Sequence, residues 1–328
     1  MSEQLNFGQA HNLALTEAME ADEKVIVLGE DVGDEQGGGV FKTMYGLSGK
    51  FGTDRVRSTA IAEQSIMGAA VGAAIAGYRP VADIMFMNFL TVAMDQLVNH
   101  AAKLRFMSGG QTGVPLHVMT TTGTGRQFGG QHSDWLESWF AHVPGLTIVT
   151  ASNPADAKGL ILSCIESDNP TIFIQHLAMM RVKGPMPEPG YRVPLGKAAV
   201  LTEGTDLTIV SYGRQVLDCL AVADRLKDDV SIEVIDLRTI SPFDKETVLN
   251  SVSKTKRAIV MHEAVKEFGV GAEISSVIHE SLFDSLKAPV ERVGSKFSPV
   301  PFNPSLEKDW TAGEAELEIA IKNVMGRS

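Results

Sequence analysis

The most informative stretch of this sequence is Thr59-Ala-Ile-Ala-Glu63-Gln-Ser-Ile-Met-Gly68-Ala-Ala-Val-Gly72-Ala-Ala-Ile-Ala-Gly77-Tyr-Arg79-Pro80. It predicts a helix over residues 63–76 that is made almost wholly of small and apolar residues. Each internal glycine costs a helix about 0.5–1 kcal/mol relative to alanine. A sequence keeps Gly68 and Gly72 one turn apart where another backbone must come very close. We therefore expect this helix to be central and to lie at an interface, with one carboxylate, Glu63, in its first turn.

Glu63 has two interpretations at this stage. A glutamate in the first turn of a helix offsets the backbone dipole and faces water, which is the usual situation of this residue type. The alternative is a lone acid at a packed interface, with a raised pKa and a functional proton. The position of Glu63 along the chain is compatible with both.

Strand and helix patterns alternate on both sides of this stretch, which predicts an α/β fold whose parallel sheets are covered on both faces. The strands predicted in the first half are 25–28, 81–87, 114–120, 146–151 and 171–175. The helices predicted there, besides 63–76, are 90–106, 135–142 and 153–166. Asn153 followed by Pro154 is a typical helix start, because the asparagine caps the helix and the proline needs no donor there.

A second α/β segment follows a break at 183–190, Lys-Gly-Pro-Met-Pro-Glu-Pro-Gly, which is predicted to form neither helix nor strand. After this linker, strands are expected at 207–211, 232–237 and 258–261, and helices at 216–226, 244–252 and 270–283. The sequence therefore predicts two domains, residues 1–188 and residues 189–328.

Composition restricts the classes of partner. The 328 residues carry a formal net charge of −11, which disfavours nucleic acid and anionic membrane surfaces and favours a basic partner. The most apolar run, 66–76, is well short of the ~20 residues that cross a bilayer, and no secretory signal is evident. Cys164 and Cys219 lack metal-ligand spacing and are interpreted as buried, reduced thiols. A cytoplasmic protein is expected.

Three predicted strand ends suit a ligand site, because ligands of parallel α/β sheets bind beyond the carboxyl ends of the strands. They are Gly29-Glu30-Asp31 with the glycines at 37–39, Met85-Phe-Met-Asn-Phe89, and the loop 120–134. The glycines of that loop have the spacing Gly-x-Gly-x-x-x-Gly, one residue longer than a dinucleotide fingerprint, and no acid ends the next strand. NAD binding is disfavoured. Gly-x-Ser-x-Gly, His-Glu-x-x-His and phosphate-loop motifs are absent.

Further motifs accompany the Gly/Ala helix in a fixed order along nearly the whole chain. They are the segments 59–64, 77–81, 84–89, 94–99, 131–133, 144–146, 156–160, 236–239 and 299–302. Together they resemble the beta subunits of the thiamine-diphosphate-dependent 2-oxo acid and acetoin dehydrogenases. The resemblance implies a pyrimidine-binding domain followed by a transketolase-type carboxy-terminal domain. Ala60 and Ala62 depart from the Thr-Pro-Ile-Ser-Glu of many relatives, and 175–181 departs as well, which leaves the substrate open.

The resemblance also implies a site shared between two chains. In the family the beta chain holds the aminopyrimidine of thiamine diphosphate, and an alpha chain holds the diphosphate through Mg²⁺ in an α2β2 assembly. This sequence lacks the diphosphate motif, Gly-Asp-Gly followed some thirty residues later by Asn-Asn, and its nearest fragment is Gly33-Asp34-Glu35. The chain is therefore expected to encode half a site, to hold no metal itself and to be inactive without the alpha subunit.

The resemblance assigns roles to six residues. Glu63 matches the carboxyl group that hydrogen-bonds a pyrimidine ring nitrogen, and Phe89 matches the residue that stacks on the ring. Ile61 and Met85 match apolar contacts to it. His132 matches the active-site histidine of proton transfer and the lipoyl arm, and Glu30 matches an acid near the cofactor. From residue type alone, ordinary core positions for Ile61, Met85 and Phe89, and a helix-capping role for His132, are the alternatives.

The function expected from this resemblance is oxidative decarboxylation of a pyruvate-type 2-oxo acid, or cleavage of acetoin, with transfer of the fragment to a lipoyl group of an acyltransferase core. The loop 123–132 looks more like that of the acetoin enzymes. Acids at 307, 309, 314, 316 and 318 either meet a basic domain of that core or form a solvated helix face. The alternatives are a non-catalytic assembly subunit of the same fold and an NAD-binding dehydrogenase.

Overall fold

The structure is a computed structural model and describes residues 4–326. Its chain forms two compact units. The first contains the residues up to Thr122 together with Trp139–Leu195, and the second contains Gly123–Ser138 together with the residues from Gly196 onward. The predicted boundary between residues 188 and 189 stays a prediction; the last passage of the chain from the first unit to the second lies between Leu195 and Gly196.

The strands are β1 Gln4–Asn6, β2 Val25–Glu30, β3 Val56–Thr59, β4 Arg79–Phe86, β5 His117–Thr122, β6 Thr147–Thr150, β7 Thr171–His176, β8 Lys183–Pro185, β9 Ala199–Thr202, β10 Leu207–Ser211, β11 Ile232–Asp236, β12 Thr239–Ser241, β13 Ala258–Val265 and β14 Glu291–Ser295. The α-helices are α1 Phe7–Ala21, α2 Leu47–Phe51, α3 Glu63–Ile75, α4 Ala102–Met107, α5 Glu137–Ala141, α6 Pro154–Glu166, α7 Gln215–Leu226, α8 Lys245–Thr255, α9 Val270–Leu282, α10 Pro304–Trp310 and α11 Glu314–Gly326.

The strands of the first unit's main sheet follow the order β6-β7-β5-β4-β2-β3 and are all parallel. Every residue of β5 and β7 is buried, as expected for strands covered on both faces. The predicted start of α6 is confirmed, since Asn153 accepts from the amide of Asp156 and Pro154 occupies the first turn. Cys164 is buried and free, as predicted, and so is Cys219 in the second unit.

The second unit contains a five-stranded sheet in the order β14-β13-β10-β11-β9. Its strands are parallel except β9, which pairs antiparallel with β11 at one edge. The core between the sheet and helices α7 and α11 is formed by apolar side chains from both layers, including Ile209, Val222 and Leu317. The predicted α/β fold with two mostly parallel sheets is thus confirmed.

Two predicted elements differ from the structure. Lys183–Pro185 forms strand β8, which pairs antiparallel with β1, so the prediction of a structureless linker there was wrong. A short edge strand of this kind tolerates a proline at its end. The prolines of 183–190 therefore did not exclude a strand at the start of that segment. The single helix expected over 90–106 is instead a 3-10 turn at Met87–Thr91, a π-helical stretch at Gln96–Ala101 and α4.

Among residues 4–326, no helix is both long and apolar enough to cross a membrane. The expected cytoplasmic location stays a prediction.

Candidate active site

The carboxyl ends of β2, β3 and β4 meet at one edge of the first sheet. The three strands are parallel, with Glu30 opposite Thr59 and Gly29 opposite Asp83. The segment that leaves β3 leads into α3, and the segment that leaves β4 forms the 3-10 turn. Five of the six residues predicted from the sequence belong to this edge: Glu30, Ile61, Glu63, Met85 and Phe89.

Glu63 is the first residue of α3 and is half-buried. The preceding residue, Ala62, has no side chain that can cap the helix, so its first-turn amides receive no side-chain acceptor from the N-cap position. The positive end of the helix dipole favours a negative charge at this position. The negative charge of Glu63 is thus favoured at this helix start.

Apolar side chains at the same sheet edge remain open to solvent. Ile61 is 83% exposed, while Met85 and Phe89 are half-buried, so an ordinary core position does not describe Ile61. The ring of Phe89 meets that of Phe86 edge-on at 5.7 Å, and Phe86 meets Phe41 edge-on at 5.8 Å. These contacts fix Phe89 on a buried aromatic base and leave part of its ring uncovered.

Two further acids at the edge hold protons more tightly than isolated carboxyls do. Desolvation, together with the charges of Glu63 and Asp31, raises the pKa of Glu30. Desolvation and the charge of Glu30 raise the pKa of Asp83 to about 7. Like charges close together disfavour full ionisation, so the edge retains protons near neutral pH. Asp83 was not among the residues predicted from the sequence; its place within the apolar strand β4 was the signal.

His132 belongs to the second unit, in the segment Gly123–Ser138, which consists of the loop after β5 and the first two residues of α5. Its imidazole is half-buried and lies 6.3 Å from the ring of Phe128, centroid to centroid. The backbone amide of His132 donates to the carbonyl of Gly129 at 3.2 Å, so the histidine ends a tight turn. The loop runs fourteen residues from the end of β5 to the start of α5, counting 123 to 136. A dinucleotide fingerprint needs a short strand-to-helix turn, which this loop does not form.

Comparison with known proteins identifies the two units. Residues 3–181 match the transketolase pyrimidine-binding domain, and residues 196–316 match the transketolase C-terminal domain. The pyruvate dehydrogenase E1 component subunit beta of Porphyra purpurea is 42% identical over 318 residues, which cover 96% of this chain and 95% of that one. The chain belongs to the beta subunits of the thiamine-diphosphate-dependent 2-oxo acid and acetoin dehydrogenases.

Other members of this beta-subunit family are almost as similar. The beta subunit of acetoin:2,6-dichlorophenolindophenol oxidoreductase from Cupriavidus necator is 38% identical over 334 residues, covering 99% of this chain and 98% of that one. Among solved structures, a split-gene transketolase described as an inactive beta4 tetramer matches with a TM-score of 0.77 and 21% identity over 97% of both chains. That likeness confirms the fold.

The first unit's edge fits the aminopyrimidine ring of thiamine diphosphate. An exposed isoleucine and a partly open phenylalanine offer apolar cover for a flat ring, and the adjacent Glu63 offers a carboxylate to a ring nitrogen. The nearest fragment of a diphosphate motif is already engaged, because Asp34 accepts from the amides of Gly46 at 2.5 Å and Gly49 at 2.6 Å. Within the described residues, no group of three or more His, Cys, Asp or Glu is arranged to hold a metal ion.

Sequence reasoning missed a set of buried polar residues in the second unit. Glu137, Glu263 and Glu307 are 0%, 2% and 3% exposed. Glu307 was expected on an acidic surface, but it accepts from the backbone and side chain of Gln127. Three more acids of the carboxy-terminal stretch pair within the chain, Glu314 and Glu318 with Arg225 and Asp309 with Lys296. Three of the five acids of this stretch therefore pair with cations of their own unit, and Glu307 is buried there.

Proposed function

We propose that this chain supplies the aminopyrimidine half of the active site in a dehydrogenase that acts on a pyruvate-type 2-oxo acid or on acetoin. The observation that carries the proposal is the edge itself. At the carboxyl ends of β3 and β4, a half-buried glutamate begins an uncapped helix, and an exposed Ile61 and a partly open Phe89 follow the same strand ends, in a chain without the diphosphate motif. Apolar surface with one convergent carboxylate suits a flat ring that presents both an apolar face and a ring nitrogen.

The roles of the residues follow from their chemistry. Thiamine diphosphate, when bound, supplies a thiazolium carbon whose deprotonation depends on the tautomer of its aminopyrimidine. Glu63 hydrogen-bonds a ring nitrogen and so favours the tautomer that can remove that proton. Phe89 stacks on the ring, Ile61 and Met85 exclude water from it, and Glu30 is a second acid near Glu63. His132 holds or delivers a proton to the reacting fragment as it passes to the lipoyl group.

An alpha subunit completes this proposed site. It holds the diphosphate and Mg²⁺, for which this chain has neither the motif nor, in residues 4–326, a group of metal ligands. The Gly/Ala face of α3 is open for such a partner: among the described residues, no atom outside the backbone of α3 lies within 4 Å of where a side chain on Gly72 would begin. Within residues 4–326, no backbone outside α3 makes the close approach expected at Gly68 and Gly72. We propose that α2β2 assembly makes it.

The further partners are a lipoyl-bearing acyltransferase core and a small 2-oxo acid or acetoin. The net charge of −11 favours a basic docking domain of such a core. A non-catalytic assembly subunit would not need an acid, an uncovered ring and a loop histidine together. The presence of Glu63, Phe89 and His132 therefore supports the catalytic reading.

The experiment is reconstitution with an alpha subunit, thiamine diphosphate and Mg²⁺, assayed with pyruvate, branched 2-oxo acids and acetoin and an artificial electron acceptor. We expect Glu63→Gln to lower turnover at least about a hundredfold, because one positioned acid contributes about that much. Glu23→Gln is the matched control, since Glu23 is an exposed acid of the same unit. Full turnover by Glu63→Gln, or turnover by the isolated beta chain, would contradict the proposal.

A further inference from the structure

The loop that carries His132 has the composition of a mobile segment but the contacts of a fixed one. The segment Gly123–Ser138 contains four glycines, at 123, 125, 129 and 130. Loops rich in glycine are poorly ordered unless contacts with the rest of the fold hold them. The loop nevertheless belongs to the second unit, and it is bonded there at three points.

The first anchor is on the amino-terminal side of His132. The buried carboxylate of Glu263, on β13, accepts from the backbone amide of Thr124 at 2.7 Å. The hydroxyl of Thr311 donates to the hydroxyl of the same threonine at 3.0 Å. A carboxylate that accepts a hydrogen bond from a backbone amide makes a charge-assisted hydrogen bond, which is stronger than one between neutral groups.

The second anchor lies between Thr124 and His132. Glu307, on α10, accepts from the backbone amide of Gln127 at 3.2 Å and from its side-chain amide at 3.3 Å. Gln127 has φ = +54°, a left-handed conformation that a non-glycine residue adopts at a cost. The two hydrogen bonds to Glu307 therefore hold a strained turn in place. Two residues further on, Gly129 packs against Phe302 so closely that a Cβ would lie 2.5 Å from the ring.

The third anchor is on the carboxyl-terminal side. The hydroxyl of Tyr212, which follows β10, donates to Oε1 of Glu137 at 2.7 Å. Glu137 is fully buried at the end of the loop, and Tyr212 is stacked on His262, with ring centroids 6.1 Å apart and planes 18° apart. A buried tyrosine held on both its face and its hydroxyl is a rigid attachment point.

From these contacts we infer that Tyr212, Glu263 and Glu307 are positioning residues for His132. None of them needs to touch substrate or cofactor. They act by holding the loop on both sides of the histidine, so that the imidazole stands in one place when a proton must be moved. The inference rests on the proposed role of His132, and it adds three residues of the carboxy-terminal unit to the machinery of the reaction. For stability alone, apolar residues of similar volume could take the place of these buried polar groups with little loss of folding free energy.

Two measurements on the full α2β2 complex test the inference. The first is amide hydrogen exchange of the loop, which does not depend on activity. Tyr212→Phe, Glu263→Gln and Glu307→Gln are expected to speed exchange in peptides from 123–138 by about tenfold or more. The phenylalanine loses its hydrogen bond to Glu137, and each glutamine loses the charge and one of the two acceptor oxygens that hold the loop. Glu233→Gln is the matched control: Glu233 is an equally buried acid of the same unit, paired with Lys254 and outside the loop.

The second measurement is turnover. A small displacement of a catalytic group lowers kcat by about tenfold to a hundredfold, and we expect that loss in the three variants with unchanged affinity for thiamine diphosphate. In a His132→Gln background the same substitutions should add almost nothing, because they act through the histidine. Thr311→Val, a milder change at the first anchor, serves if a buried variant does not fold.

The outcomes separate this inference from the proposed function. Unchanged loop exchange in the variants would overturn the anchoring, and an undiminished effect on kcat in the His132→Gln background would overturn the positioning role. If His132→Gln alone kept full turnover, the proposed role of the histidine would fail and the positioning role with it, while the exchange data would still decide the anchoring.

Discussion

Asp83 lies directly opposite Gly29 in the parallel pairing of β4 with β2, and its side chain occupies the space that a side chain on Gly29 would need. A Cβ on Gly29 would be 2.9 Å from Cβ of Asp83, 2.9 Å from Cγ1 of Val32 and 3.0 Å from the carbonyl oxygen of Asp83. The glycine before Glu30 therefore makes room for the second acid of the edge. The close pairing of β2 with β4 at Asp83 depends on this one missing side chain.

Gly29→Ala is expected to destabilise the first unit by about 1–3 kcal/mol, because the added methyl group overlaps both backbone and side-chain atoms. The measurement is the free energy of unfolding of the isolated chain in urea. Gly68→Ala is the control, since its Cβ would meet only Gln96 at an ordinary 3.5 Å. An unchanged unfolding midpoint for Gly29→Ala would show that β2 and β4 separate easily.

Ile61→Ser should separate folding from cofactor binding. Ile61 is 83% exposed, so the substitution is expected to leave the unfolding midpoint unchanged. If Ile61 covers the pyrimidine ring, the loss of its apolar contact should raise the concentration of thiamine diphosphate for half-saturation of the α2β2 complex by about five- to tenfold. Ile319→Ser, at an exposed site of the second unit, should change neither quantity. Equal affinity for Ile61→Ser would remove Ile61 from the site.

Gly72→Ala should have opposite effects on folding and on assembly. No described residue outside the backbone of α3 lies within 4 Å of the new methyl group, so alanine should stabilise α3 by about 0.5–1 kcal/mol in the isolated chain. If a partner backbone packs on this face, the same methyl group should weaken α2β2 assembly, measured by sedimentation velocity. Gly326→Ala, also in a helix and equally open, is the control. Unimpaired assembly of Gly72→Ala and of the larger Gly72→Leu would place the partner elsewhere.

Two buried histidines predict an acid limb in the stability of the first unit. Burial, aided at His11 by the nearby His117, lowers the pKa of both from 6.5 to about 3. The unfolded chain takes up these protons as the pH falls below about 6.5, whereas the folded chain stays neutral there until about pH 3. Stability therefore falls with falling pH in this window, by about 1.4 kcal/mol per histidine for each pH unit.

Urea unfolding at pH 7.5, 6 and 5 measures this slope. His11→Gln should reduce the slope of the unfolding free energy against pH by about 1.4 kcal/mol per pH unit between pH 6 and 5, because one fewer proton is taken up on unfolding. This holds whatever the effect of the substitution on stability at pH 7.5. His142→Gln, at an exposed site, should leave the slope as it is in the wild type. A variant slope at position 11 that matches the wild type would mean that His11 does not stay neutral in the fold.

The sheet edge could be predicted from the sequence because the strands that form it are recognisable from their own local residue patterns. Strands with buried periodicity end at Glu30 and Phe86, and parallel strands bring such ends together. Family resemblance then selected Glu63, Ile61, Met85 and Phe89 from a chain in which residue type alone favoured ordinary surface or core positions. Their roles in binding and catalysis stay predictions, and Glu63→Gln and Ile61→Ser test two of them.

The anchors of the His132 loop were not accessible in the same way. The bond from Thr124 to Glu263 joins residues that are 139 positions apart, and the bond from Gln127 to Glu307 joins residues 180 apart. No short pattern marks either acid as buried, and charge counting placed Glu307 on the surface. Strand β8 was missed for a related reason: its partner β1 is at the other end of the first unit's sequence. Pairings between distant segments are what local propensity does not encode.

The passage of the chain between its two units has a consequence for attempts to divide the gene. The chain leaves the first unit after Thr122, returns at Trp139 and leaves again after Leu195, so neither unit is a single uninterrupted segment. A fragment ending near residue 195 would carry His132 but lack Tyr212, Glu263 and Glu307. Separate expression of the two halves would remove these three residues from the loop that they hold. Only re-association of the fragments, or a fusion that restores both, would fix the position of the histidine again.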